Sequence, residues 1–248
     1  MKPYFIKLLF VFIYILFSNV EIFPQSFGFG CLGLSGFYGG YSQQEYKADG
    51  INTFVQKNYS GSLINNTKFE KGTGFRIGAN IFRTKLSGDV FLTLKGFFQF
   101  LKEEHEISEN ISSGVLKNKY QLSMNHWGVG VDFGFPLFSI LDWKVVEGGV
   151  AFYNSDFDYQ TILDDNQLTE LKVSPDKTQI GYYIGSGVIF HIIRDYISVE
   201  GTAAYSFLKI DGMGNEIGIN SLEESSQNRA VEKGGFIGTI QLNVGFPF

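Results

Sequence analysis

Three histidines are spread through the chain, at His105, His126 and His191. None stands in an H-x-x-x-H pair or beside a cysteine, so the spacing disfavours a metal site. The single cysteine, Cys31, excludes a disulfide framework and a Cys-rich zinc centre. A lipid anchor on Cys31 would want an aliphatic residue three positions before it, where Gly28 stands instead. Gly28, Gly30 and Gly33 reproduce the G-x-G-x-x-G spacing that lets a strand turn into a helix against a pyrophosphate. Here the spacing follows an apolar leader and runs into more glycine and aromatic residues, so it reads as coincidence. More telling are charges set at alternate positions inside apolar runs: Arg76, Lys95, Asp132, Glu147 and Glu200, with His191 beside them. Glu147 and Glu200 could in principle act as an acid and base pair. The mixture of signs fits an ion network equally well, and the choice depends on what surrounds these residues.

What surrounds them is a period-two alternation. Phe75, Ile77, Ala79 and Ile81 alternate with Arg76, Gly78 and Asn80; Val90, Leu92, Leu94, Phe98 and Phe100 with Thr93, Lys95 and Gln99. The same division runs through Trp127–Phe135, Val146–Phe152, Ile180–Phe190, Ile197–Phe207 and Phe236–Phe248. With a first run over about Leu32 to Tyr41 this makes eight strands, each with one apolar face and one polar or tiny face. In the first strand the pattern is read with Leu32, Leu34 and Tyr38 outward and Gly33 and Ser35 inward. Before Trp127 the apolar residues Tyr120, Leu122 and Met124 fall on the other parity. That change implies either a bulge near Asn125 and His126 or a strand that extends beyond a membrane.

The connections decide the architecture. Segments 42–72, 103–118, 155–177 and 209–233 are long and alternate with short ones at 85–88, 136–142 and 193–195. Long loops at one end and short turns at the other are the pattern of a single-chain membrane barrel with an even strand number. The expected fold is therefore an all-β, eight-stranded antiparallel up-and-down transmembrane β-barrel. Closure gives every backbone group a partner, which an open edge in lipid could not have. Lys2 and Lys7 before the run Leu8–Phe17 form a signal peptide, giving residues 1–26 as leader and 27–248 as barrel. With 20 basic against 25 acidic residues, the net charge of −5 argues against a nucleic-acid partner. No cofactor is expected.

The last strand, Gln241-Leu-Asn-Val-Gly-Phe-Pro-Phe248, carries an outward apolar series and a terminal aromatic. With the pattern above, it resembles the small eight-stranded outer-membrane barrels of the OmpA and OmpX type. The resemblance implies that Leu242, Val244, Phe246 and Phe248 are read by the barrel-assembly machinery during insertion, although Pro247 is unusual there. It also implies a bacterial outer-membrane location, with lipid and lipopolysaccharide around the wall, loops outside the cell and both termini in the periplasm. The inward charges are then expected to pair into a plug, with a small ion or proton channel as the alternative. Some barrels of this shape modify lipid A with a His, a Ser and an acid near the outer leaflet; here Ser123 and His126 are the pair to examine. The leading expectation is a non-enzymatic barrel whose surface loops meet an extracellular or envelope partner.

Overall fold

Bulky apolar residues alternating with small or polar ones favour extended chain, and here they form strands that are long for any protein. The computed structural model describes residues 35–58, 67–86, 90–213 and 229–245. In chain order the elements are β1 (Gly36–Lys47), α1 (Asp49–Asn58), β2 (Lys71–Lys85), β3 (Phe91–Ile111), β4 (Gly114–Phe138), β5 (Leu141–Leu163), β6 (Asn166–Val173), β7 (Gln179–Ile193), β8 (Ile197–Phe207) and β9 (Lys233–Gly245). Eight of the strands close an antiparallel ring in the order β1-β2-β3-β4-β5-β7-β8-β9, with β9 returning to β1. Strand β6 lies outside the ring. It pairs with the far part of β5, Phe157–Leu163, after β5 has paired with β7 over Leu141–Tyr153.

The outer wall is apolar where the ring is complete. Phe75, Ile77, Phe98, Val129, Val131, Ile184, Val188, Ile240 and Leu242 all present their side chains outward. Trp127 stacks on Phe152 at one rim, with ring centroids 4.2 Å apart, and Phe135 packs edge-on against Trp143 at the other. On β4 the outward apolar run from Trp127 to Phe135 matches the roughly 9–11 residues that a tilted strand needs to cross a bilayer. An exposed band of this kind has its stable surroundings in hydrocarbon, flanked by aromatic girdles.

Strands β3, β4 and β5 are 21, 25 and 23 residues long, about twice that crossing length. Segments 103–118 and 155–177, expected as loops, are therefore mostly strand. Strands β3 and β4 meet in a hairpin closed by Ser112 and Ser113, and β5 and β6 in a tight turn at Asp164 and Asp165, with φ of 45° and 67°. Two successive residues with positive φ are what a type I′ hairpin turn requires. The charges in Lys102–Glu106 gave these segments the look of loops, but Lys102, Glu104 and Glu106 belong to the solvent face of a continuing sheet, while Glu103 and His105 turn inward.

That continuation explains the parity change on β4. The strand runs without a bulge through Asn125 and His126, because its register with β3 and β5 is unbroken there. Even-numbered residues face inward along its whole central length. What changes is the surroundings: inside the membrane the polar face is the inner one, and beyond it the apolar face is. Tyr120, Leu122 and Met124 join Ile107, Phe157 and Val173 in a buried cluster above the membrane band. Helix α1 closes this cluster from the β1–β2 connection. Ile51 and Val55 stand four apart on one helix face and are fully buried, with Phe54 edge-on to Phe157. Asn52 ties the helix down: its Nδ2 donates to the Phe69 carbonyl at 3.1 Å, and its Oδ1 accepts from the Phe69 N–H at 2.8 Å.

The first strand departs from its expected phase. It runs from Gly36 to Lys47, and Tyr38 points inward while Phe37 and Tyr41 face out. Leu32, Gly33 and Leu34 lie outside the described residues. Tyr38 fits inside because Gly78 on β2 leaves space for its ring and the Gly96 carbonyl accepts its hydroxyl at 3.1 Å. Gly128 likewise makes room for Phe97, Gly130 and Gly149 for Tyr183, and Gly181 for Tyr153. The glycines of the inner face thus line no open pore; they accommodate rings from neighbouring strands.

Candidate functional site

Six charged side chains meet in the lumen below these rings. Arg76 comes from β2, Lys95 from β3, Asp132 from β4, Lys144 and Glu147 from β5, and Glu200 from β8. All are buried. Three cations face three carboxylates, so the cluster is formally neutral. Lys95 Nζ lies 2.6 Å from Asp132, 3.5 Å from Glu200 and 3.7 Å from Glu147. Lys144 Nζ donates to Glu147 at 2.5 Å and to Glu200, and lies 3.1 Å from Asp132. Arg76 is more distant, 3.9 Å from Glu147, donates its Nε to Gln99 at 2.5 Å and stacks on Phe97. Asn243 donates to Glu200 at 3.2 Å and so extends the network onto β9.

Lys144 and its neighbour Asp142 do not follow from the alternation. If Glu147 faces inward, even-numbered residues of β5 should face the lipid. A bulge reverses the phase: β5 pairs Val146 with Phe133 but Lys144 with Gly134, leaving Val145 as the extra residue. Lys144 and Glu147 thereby both reach the lumen, and so does Asp142. The only trace in the sequence is the doublet Val145-Val146 next to a lysine that would otherwise stand in hydrocarbon.

The three carboxylates Asp132, Glu147 and Glu200 bring oxygens within 4.8 Å of one another, close enough to share a metal ion. The ammonium groups of Lys95 and Lys144 already stand among them, supply the positive charge and account for their geometry. An acid and base pair at Glu147 and Glu200 is equally unsupported, because Lys144 bridges the two.

His191 is not part of this cluster. It lies nearer the short-turn end, with Nε2 2.9 Å from Asp142 Oδ2, and Arg83 Nη2 approaches the same oxygen at 3.3 Å. These residues line a cavity of about 460 Å³ that reaches inward to Asp132 and Glu200. The lumen is thus a polar vestibule at the short-turn end, a charged plug in the middle and an apolar cap at the other end.

Ser123 and His126 are not brought together. They lie an odd number of residues apart on one regular strand, so His126 faces inward, tilted against Tyr153 with ring centroids 4.1 Å apart, while Ser123 faces outward and accepts a hydrogen bond from Gln121. His105 belongs to the cap and contacts Glu103 at 3.0 Å. In the sequence Glu103 reads only as part of a polar loop. Its carboxylate accepts from the Tyr46 hydroxyl and from the N–H groups of Glu70 and Lys71, tying three segments together. Burial and this carboxylate push the Tyr46 phenol up, which keeps it a donor. Of the terminal series, Leu242 and Val244 face outward, and Phe246 and Phe248 lie outside the described residues.

No family model matches the chain, and neither does any curated protein. Solved structures do. Neisserial surface protein A is 14% identical, with 85% of this chain and 97% of that one covered and a TM-score of 0.41. Ail, the attachment invasion locus protein of Yersinia pestis, is 14% identical over 86% and 97%, with a TM-score of 0.36. The outer membrane protease OmpT of Escherichia coli is 9% identical over 86% and 94%, with a TM-score of 0.40. Likenesses at this level say nothing about activity.

Proposed function

We propose that this chain is a non-enzymatic outer-membrane barrel of a Gram-negative-type envelope, of the small OmpA and OmpX kind, whose working part is the rigid structure beyond the membrane. The observation that carries the reading is the cap. Strands β3, β4, β5 and β6 continue as a sheet above the apolar band, backed by a buried core and by helix α1. A barrel that needed only to cross a bilayer could end its strands at the rim with short turns. Here the outer face of the extended sheet carries Glu104, Lys119, Asp158 and Lys172, on strands held in fixed register. Charged groups on a rigid sheet form a recognition surface at little ordering cost.

In this reading the cap faces the outside of the cell and the termini face the periplasm. Lipid and lipopolysaccharide surround the wall, the assembly machinery handles the chain during insertion, and an extracellular or envelope protein meets the sheet. A photo-crosslinking side chain placed at Gln121 or Asp158, on the cap, should capture a protein partner on intact cells. The same group at Val131, in the apolar band, should capture lipid alone. Capture of lipid alone from all three positions would refute the reading.

A further inference from the structure

The vestibule at the short-turn end holds a chemical conflict that the plug does not resolve. Three ligand-type atoms on its wall are buried without a hydrogen-bond partner: Asp132 Oδ1, Asp142 Oδ1 and His191 Nε2. The side chains of Asp142 and His191 are 5% and 6% exposed. Buried polar atoms of this kind ordinarily have a partner. The His191 ring nitrogen lies 2.9 Å from Asp142 Oδ2, yet its direction misses that oxygen, so the contact is not a hydrogen bond.

A nitrogen and an oxygen at such a separation, not aimed at each other, have the arrangement of two ligands on one cation. An ion about 2.1 Å from each would see them at an angle of about 90°, the cis angle of octahedral or tetragonal coordination and tighter than a tetrahedral site wants. The donors, one imidazole and one carboxylate, suit Cu²⁺ or Ni²⁺ better than Ca²⁺ or Mg²⁺. The cavity gives room for water at the remaining positions, with Asp132 and Glu200 on its inner wall to accept hydrogen bonds from those waters. Arg83, at the rim and about a third exposed, holds Asp142 by a single contact and can withdraw when a cation takes its place.

We propose that His191 and Asp142 form a site for one divalent first-row transition metal ion of tetragonal or octahedral preference, reached from the short-turn end of the barrel. The test uses the full mature chain, folded in detergent without a histidine tag and titrated with Cu²⁺, read by calorimetry and electron paramagnetic resonance. One equivalent should bind with an axial spectrum and coupling to a single nitrogen. His191→Gln and Asp142→Asn should each weaken binding by at least about tenfold, while His105→Gln leaves it unchanged. Arg83→Gln, which removes the competing cation, should tighten binding. Heat-dependent gel mobility confirms that each variant is folded. Binding that survives His191→Gln, binding weakened by Arg83→Gln, or no saturable binding to the folded protein would each overturn the proposal.

Discussion

Lys144 shows how much one side chain can carry in a lumen without bulk water. It contacts Asp132, Glu147 and Glu200 and has no exposed surface. Its removal would leave three carboxylates facing Arg76 and Lys95 alone. Lys144→Met should therefore destabilise the barrel by about 3–5 kcal/mol, as the loss of one member of a buried ion network does. Lys102→Met, which removes an exposed pair with Glu104, should cost less than about 1 kcal/mol. Urea unfolding followed by tryptophan fluorescence compares them, and equal losses would mean that the plug adds nothing. At this scale the sequence was only partly informative. Arg76, Lys95, Asp132, Glu147 and Glu200 stand at inward parity in regular strands and are legible one by one. Lys144 and Asp142 lie beyond a bulge, and a period-two pattern cannot register an extra residue.

The bulge gives the element scale its own prediction. Deleting Val145 would remove the extra residue and leave Asp142, Lys144 and Glu147 all at inward positions of a strictly alternating strand. The deletion variant should acquire heat-modifiable mobility with little loss of stability, because the plug keeps its residues; failure to fold would show that the local bend of the bulge is needed for closure. Helix α1 offers a stronger perturbation. Val55→Asp places an unpaired carboxylate in the cap core, at a cost of several kcal/mol to that region. Because this core lies beyond the apolar band, limited proteolysis should cut within the β1–β2 connection while the membrane-embedded ring stays resistant. Simultaneous loss of both would show one cooperative unit. The helix was not legible because 42–72 was read as a connection rich in polar residues, whereas Ile51 and Val55 acquire meaning only beside Phe69 and Phe157 from distant strands.

For the whole molecule, a plug below and a cap above leave no continuous aqueous route among the described residues. Planar-bilayer recording of the monomer should show no stable conductance, and Val55→Asp, which loosens the cap alone, should not create one. Steady channels from the unaltered protein would refute this. The inversion of polarity along β4 then has a consequence for how the molecule reaches its place. In the proposed orientation, with the cap outside the cell, Lys102, Glu104, Lys119 and Lys172 end on the far side of the apolar band, so they must pass through or around hydrocarbon before the cap exists. Tyr120, Leu122, Met124 and Phe157, which afterwards fill the cap, have no partners until that passage is complete. Assembly is therefore directional: the last core to form lies at the leading end. Once packed it acts as a pawl, since withdrawal would first have to dissolve the cap and then drag four charges back through the bilayer.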